Sequence, residues 1–331
     1  MKRSIFVFSN GKIQRKQNTI FFEAQNNKRK YIPVENIQEI YIFGEVTINK
    51  KLLEFLSQKE IILHFYNHYG YYAGSFYPRE HFNSGFMILK QAEKYLNESE
   101  RLKLAKKFVE GAIQNMLKVL NYYENRGKDL AYYIENIENL KKRIPESKSV
   151  EELMAYEGNC KGYYYQAFDV IIGKEEFLFS SRTRQPPKNR LNALISFGNS
   201  LLYTVILSEI YKTHLDPRIG FLHTANFRRF SLNLDVAEIF KPIITDRVIF
   251  TLLNKNMITE KDFSEHLGGI YLKEKGQKNF VEKFDERLRA TISDKGLGRN
   301  ISYRSIIRRE LYKIEKDLMG DREYKPFVAR W

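Results

Sequence analysis

The sequence predicts an α+β protein, a small N-terminal β domain over residues 1–84 followed by a larger all-α domain over residues 85–331. Three observations carry this. Up to Phe76, short apolar runs alternate with polar turns rich in Asn and Gly, the pattern of closely spaced strands. After Pro78 the apolar residues recur at three- and four-residue steps, the period of amphipathic helices. A chain of 331 residues is also comfortable for two domains, and with the single cysteine Cys160 its core has to form without an intrachain disulfide.

In chain order, Ile5–Phe8 reads as a first strand, and Ser9-Asn10-Gly11-Lys12 as a hairpin turn, because Asn-Gly tolerates positive φ at both central positions. Thr19–Glu23 is the next strand, and Gln25-Asn26-Asn27-Lys28 a second turn. Strands follow at Ile37–Phe43, Ile61–Tyr66 and Tyr71–Phe76, with a short helix over Lys50–Gln58 among them. The domain boundary is expected between Phe76 and Gly85. Beyond it, Ala105, Val109, Ile113, Met116, Leu117 and Leu120 mark one helical stripe, and Ala131, Ile134, Ile137 and Leu140 a second, closed by Pro145. Apolar positions at Leu191–Tyr211, Val236–Phe240 and Val248–Leu253 also fit helices, and Leu297–Met319 a final basic helix.

Lys and Arg number 55 against 40 Asp and Glu, a formal net charge of +15, which points to a polyanionic partner or to a solvated basic surface. An aromatic content of 14% argues against disorder. The apolar stretch after Met1-Lys2-Arg3 stops at Asn10-Gly11, no run reaches a membrane span, and one cysteine suits a reducing compartment, so a cytoplasmic protein with no membrane partner is expected.

Six histidines narrow the search for chemistry. His64 and His68 have the spacing of a helical metal pair, but Ile-Ile-Leu-His-Phe-Tyr is a strand run, where i and i+4 lie roughly 13 Å apart. A strand histidine and a turn histidine is the simpler reading. His223 precedes Asp235 and Glu238, which are three apart and share a face if the helix begins near Asp235. One imidazole with carboxylates suits Mg²⁺ or Mn²⁺; the alternative is a helix-capping Asp235 and a surface Glu238. Glu157 opens Glu-Gly-Asn-Cys-Lys-Gly, read either as a compact small-residue loop or as an exposed acid before a helix. Arg182, Arg184, Lys188 and Arg190 share an acid-free stretch that Pro186-Pro187 keeps out of regular helix, a loop suited to phosphates. Near the C terminus Arg304 and Arg308 are one helical turn apart, either a second phosphate-binding face or a solvated one.

Taken in order, Glu157-Gly158, Pro186-Pro187 with Asn192-Ala193-Leu194 and Ser196-Phe197-Gly198-Asn199, Gly220-Phe221-Leu222-His223, Leu234-Asp235-Val236-Ala237-Glu238-Ile239-Phe240-Lys241-Pro242 and Asp246-Arg247 resemble the motifs of the CRISPR-associated integrase family, the "Cas one" proteins. The resemblance extends over the whole chain, to Lys325-Pro326-Phe327 and Arg330-Trp331. Asn159-Cys160-Lys161-Gly162 departs from it, since the family usually has small residues here and often an arginine near position 161. The resemblance implies a β domain that mediates a homodimer and an all-α catalytic domain. It implies Glu157, His223 and Glu238 as ligands of Mg²⁺ or Mn²⁺, with Asp235 as a further catalytic residue, bound through water or supporting the ligands, and Lys241 on DNA phosphate. It also implies double-stranded DNA and a small second CRISPR-associated protein, "Cas two", as partners. The reaction expected from it is insertion of short foreign DNA into the CRISPR array by attack of a 3′-hydroxyl on a phosphodiester; with water in that place the same site is an endonuclease. A stand-alone nuclease acting on branched DNA and a non-catalytic DNA-binding scaffold are the competing readings.

Overall fold

A computed structural model of the chain describes residues 2–79, 82, 84–225, 230–294 and 298–330. The expected boundary segment, the Ala225–Arg229 stretch, the start of the basic helix at Leu297 and the terminal Trp331 therefore fall partly or wholly outside the described residues.

The N-terminal region contains β1 (Arg3–Val7), β2 (Gly11–Lys16), β3 (Thr19–Ala24), β4 (Arg29–Pro33), β5 (Ile37–Ile42), β6 (Val46–Thr47), α1 (Lys50–Gln58), β7 (Ile62–Tyr66) and β8 (Tyr72–Phe76). They form two four-stranded sheets, β1-β5-β7-β8 and β4-β3-β2-β6. Asn10-Gly11 does not close a hairpin. It carries the chain from one sheet to the other, because β1 pairs in parallel with β5 while β2 pairs with β3. The Asn10 carboxamide instead accepts the backbone N–H of Glu45 at 2.9 Å. The tight hairpin lies at Gln17-Asn18, with Lys16 opposite Thr19 and Gln17 at φ 53°. The turn expected at Gln25–Lys28 is present, and it leads into β4, a strand that the residue pattern did not mark. Strand β2 escaped notice because Ile13 is its only buried residue.

Period-two alternation sorts the first sheet's side chains between two cores. Val7, Ile40, Ile42 and Leu63 pack with Leu52, Phe55 and Leu56 of α1. Tyr41 and Tyr66 point the other way and join the core of the helical region.

That region comprises α2 (Gly85–Leu96), α3 (Glu98–Glu124), α4 (Ala131–Arg143), α5 (Val150–Ile172), α6 (Arg190–Ile210), α7 (Ser231–Phe240), α8 (Arg247–Asn254), α9 (Glu274–Arg289) and α10 (Tyr303–Leu318). It is not all-α. Two hairpins interrupt it, β9 (Phe263–His266) with β10 (Gly269–Leu272), and β11 (Thr291–Asp294) with β12 (Arg299–Ser302). The second occupies part of the stretch expected to be helical, so the last helix begins only at Tyr303. Helix α6 has 21 residues and is apolar enough by composition to cross a membrane. Its most apolar window is 89% buried inside the fold, which makes it a core helix here.

Arg304 is not a surface residue. Its side chain is 8% exposed and inserts between the sheet and α6, where the guanidinium donates to Glu39 Oε2 at 2.7 Å and to Glu209 Oε1 at 2.7 Å. Ser4 and Tyr41 hydroxyls also donate to Glu39. His64 is buried in β7, bonded to Ser75 and Ser208, and His68 lies in the following turn, so the two do not form a metal pair. A guanidinium whose fork is saturated by buried carboxylates has nothing left for phosphate. Arg308 pairs with Glu209 at 2.6 Å and keeps a half-exposed side chain. Burial would raise the Glu209 carboxyl, but Lys212, Arg304 and Arg308 outweigh it and hold it at about 2.

Replacing Arg304 by Leu strands Glu39 and Glu209 in the interior. Urea denaturation should show a loss of about 3–5 kcal/mol, and an unchanged midpoint would refute the network's structural weight. The pH dependence follows from the depressed carboxyl. Its contribution is complete above the ordinary value of 4.5 and disappears as pH falls toward about 2. Thermal melts of the wild type should therefore drop through that window, and the Arg304→Leu protein should show a weaker dependence.

Candidate active site

Asp235 begins the construction. It is fully buried on α7, and both carboxylate oxygens are committed. Oδ2 accepts the backbone N–H groups of Phe221 at 2.5 Å and Leu222 at 3.0 Å. Oδ1 accepts the backbone N–H of His223 at 2.9 Å and faces its imidazole Nδ1 at 2.8 Å. One acid thus satisfies three consecutive amides of a segment with no regular structure. Gly220 is required by this close approach, since a Cβ there would lie 2.7 Å from Asp235 Oδ2. The hydrogen bond assigns the proton to Nδ1 and leaves the Nε2 lone pair of His223 available. Asp235 is therefore a positioning residue, with no oxygen left over for direct ligation.

Glu238 follows three residues later on α7, and Glu157 comes from α5. Glu157 stands neither in a loop nor before a helix. It lies in the helix's second turn, buried, in an α5 whose N-cap Ser149 accepts from Glu152 N. The small residues after it do not allow close backbone packing, because a Cβ on Gly158 or Gly162 would meet nothing within 4 Å. Lys161, one turn beyond Glu157, places its ammonium between the two acids, paired with Glu157 Oε1 and, at 2.7 Å, with Glu238 Oε2. Lys241 pairs with the other oxygen of Glu238 at 2.6 Å and lies over the Tyr203 ring at 5.1 Å.

Burial works against charge on Glu238, but Lys161, Lys241 and His223 outweigh it and hold the carboxyl well below its usual range. Burial likewise lowers Lys161 while Glu157 and Glu238 raise it further, so the ammonium stays charged. Asp246, at the end of the π-helical turn Pro242–Asp246 after α7, is pushed up to about 7, by burial first. It is one of two groups beside this site that residue spacing alone did not single out; Lys161 is the other.

Among the described residues no three His, Cys, Asp or Glu side chains converge on one point as a finished metal cage. What the fold assembles is a buried acid pair turned toward a shared cation and an imidazole whose Nε2 is freed by Asp235. Two hard carboxylates and an imidazole are donor types that Mg²⁺ and Mn²⁺ accept, so the chemistry of Glu157, Glu238 and His223 suits such an ion.

The basic loop is anchored on both sides. Arg182 donates to Asn192 Oδ1 at 2.9 Å and Ser196 Oγ at 3.1 Å on α6. Ile270 of β10 donates its N–H to the Pro187 carbonyl at 2.8 Å, and Lys188 Nζ reaches the Gly268 carbonyl at 2.8 Å. Arg184 is exposed, and Arg190 pairs weakly with Glu260 at 3.6 Å. Lys241 is buried against Glu238, which corrects the expectation that it faces DNA phosphate directly.

If Asp235 organises the segment, Asp235→Ala leaves three amides without an acceptor. Chemical denaturation should then show a loss of about 3 kcal/mol; a change under 1 kcal/mol would argue that water or another acceptor serves those amides.

Comparison with known proteins identifies the family. The family model described as CRISPR associated protein Cas1 matches residues 5–286. The chain is 60% identical over 331 residues to a CRISPR-associated endonuclease Cas1 of Thermodesulfovibrio yellowstonii, covering 100% of both chains. It superposes on the solved structure of a Cas1 protein from Thermotoga maritima with a TM-score of 0.87 and 49% identity, covering 98% of this chain and 99% of that one. It also shares the fold of a casposase bound to integration product, with a TM-score of 0.88 and 20% identity, covering 99% of this chain and 93% of that one. With a family match over most of its length and full-length relatives at this identity, the chain belongs to the Cas1 family of CRISPR-associated proteins.

Proposed function

We propose that this protein is a metal-dependent DNA endonuclease and integrase that inserts short foreign DNA into a CRISPR array. The observation that carries the reading is the buried pair Glu157 and Glu238, bridged by one ammonium, beside a histidine whose Nε2 is kept free by Asp235. Its 60% identity over the full chain to a CRISPR-associated endonuclease Cas1 supports it.

In the proposed reaction the 3′-hydroxyl oxygen of the incoming strand forms a bond to phosphorus, and the bond from that phosphorus to the 3′-oxygen of the target strand breaks. The attacker's proton is lost and the leaving oxygen gains one. A bound Mg²⁺ or Mn²⁺ supplies neutralisation of the phosphate oxygens and alignment of attacking and leaving groups. Glu157, Glu238 and His223 Nε2 would hold it. Asp235 fixes the imidazole's tautomer and angle, the usual task of an acid behind a ligating histidine. Lys161 and Lys241 keep Glu238 ionised. Arg184 and Lys188, with Arg182 and Arg190 behind them, grip the backbone of double-stranded DNA largely without regard to sequence.

The domain roles belong to the same proposal, with residues 1–84 joining two copies in a homodimer, residues 85–331 holding the site, and a second small CRISPR-associated protein, Cas2, bridging such dimers.

The test is strand rejoining on a branched DNA substrate, with Mn²⁺ or with EDTA, comparing the wild type with His223→Ala. Product should require metal and fall at least about a hundredfold in the variant, while DNA binding persists. Wild-type protein that binds DNA yet forms no product with Mn²⁺ or Mg²⁺, even after Cas2 is added, would overturn the enzyme reading in favour of a scaffold.

A further inference from the structure

The segment after α10, residues 320–330, has no regular structure, yet it is tied to α3, α7 and α10 at fixed points. Asn115, fully buried on α3, makes the central tie. Its Nδ2 donates to the Phe327 carbonyl at 3.0 Å, and its Oδ1 accepts the Ala329 N–H at 2.8 Å. The same Nδ2 donates to the Ile239 carbonyl of α7 at 2.9 Å. One carboxamide therefore joins the segment to the residue that follows Glu238. The Phe327 ring lies nearly parallel to that of Phe240, with centroids 5.9 Å and planes 10° apart. Gly111, one turn before Asn115, makes room for the crossing, since a Cβ there would lie 2.6 Å from Pro326 and 3.4 Å from Ile239. Helix α10 holds the other end. Tyr324 donates its hydroxyl to Glu310 Oε1 at 2.6 Å and its N–H to Asp317 Oδ1 at 2.9 Å, and the Phe327 N–H also ends on Glu310 at 2.8 Å.

These contacts fall where α7 needs outside support. Pro242 has no N–H to return to the Glu238 carbonyl, so the α-helical ladder breaks at the acid and the chain passes into the π-helical turn Pro242–Asp246. Asn115 is the one polar side chain among the buried residues of α3. A buried carboxamide is costly unless its hydrogen bonds are made. Were packing the only need, an aliphatic side chain would fill the space more cheaply. The carboxamide instead makes three directed bonds, and one of them fixes the turn of α7 that carries Glu238.

We propose that residues 324–329 form a strap that sets the position of Glu238 relative to Glu157, with Asn115 and Phe327 as positioning residues for the acid pair. Neither touches the reacting atoms; both act through Ile239 and Phe240. The inference rests on the metal-dependent DNA-joining reading above and adds to it the part of the fold that holds one proposed ligand in place.

The experiment titrates the full-length protein with Mn²⁺ and follows the EPR signal of the free ion, well below the melting transition. Asn115→Leu and Phe327→Ala should bind Mn²⁺ about tenfold more weakly than wild type. Leu56→Ala, which opens a cavity in the separate core beneath the first sheet, controls for lost stability and should bind as wild type. Unchanged affinity in both strap variants, or an equal loss in Leu56→Ala, would overturn the strap. Should the strap variants fail to fold, or the wild type hold no Mn²⁺, native-state hydrogen exchange of the wild type in increasing urea decides. Amides of residues 237–241 and 324–329 opening together support the strap. Exchange of 324–329 at urea concentrations where 237–241 stay protected refutes it. Strap-dependent Mn²⁺ binding without any strand rejoining would defeat the enzymatic reading and leave the strap standing; rejoining by a wild type whose strap variants bind Mn²⁺ equally well would do the reverse.

Discussion

The carboxylate of Asp235 is the constraint on which the site's geometry depends. Between α6 and α7 lie about twenty residues, of which the described ones have no regular structure, a length at which a loop ordinarily has many paths. Three successive amides and an imidazole ending on one buried acid fix the path of residues 221–223. The acid can be buried because those donors replace its water, and the donors can be buried because the carboxylate accepts them. Ser231 extends the arrangement, taking the Gly220 N–H at 2.8 Å and donating to the Arg218 carbonyl at 2.7 Å. His223 is thereby fixed relative to Glu238, which sits one helical turn past Asp235, without either residue touching the other's backbone.

Two buried ionic clusters then show how similar charges serve different ends. Around Arg304 the planar guanidinium is matched by Glu39 and Glu209 on both edges, and the cluster fastens the N-terminal sheet to α6 and α10. Around Glu157 and Glu238 the cations are lysines, single charges on flexible stems. A guanidinium fork locked bidentately is a structural fastening. An ammonium between two carboxylates holds them close, and under the metal-dependent reading it is the group a divalent ion would displace.

The pattern of legibility has the same physical origin. Helices α1, α3 and α6 and strands β5 and β7 announce themselves because each buries one face or all of it, and burial imposes a period. Strand β2 and the two hairpins bury little, so Gly11–Lys16 and Phe263–Leu272 carry no period to read. Arg304 misleads for the converse reason: in sequence it stands one turn from Arg308 like any solvated basic face, and only the fold brings Glu39 and Glu209 to it. Asn10-Gly11 misleads because turn propensity is local, while strand pairing across distant segments decides which strands meet. Glu157, His223 and Glu238 were legible through the order of their motifs. Lys161 was visible only as a departure from the family pattern, and its bridging role emerges once the fold brings Glu157 of α5 and Glu238 of α7 within reach of its ammonium.

That departure also explains the shape of the surface next to the acids. On α5, Glu157 and Lys161 are one turn apart, and Gly158 and Gly162 form the adjoining pair, also one turn apart. The space beside both glycines is open, so they are not there to bring two helices together. A helix interior is a costly place for glycine, on the order of 1 kcal/mol each relative to alanine. What two such residues achieve next to a functional acid is a low, side-chain-free ledge on which a bulky partner can come close to the helix backbone. A phosphodiester backbone is such a partner. Bulky side chains at 158 and 162 would hold it away from Glu157, whereas the glycines let the acid pair stay buried within a step of the solvent that carries the proposed substrate.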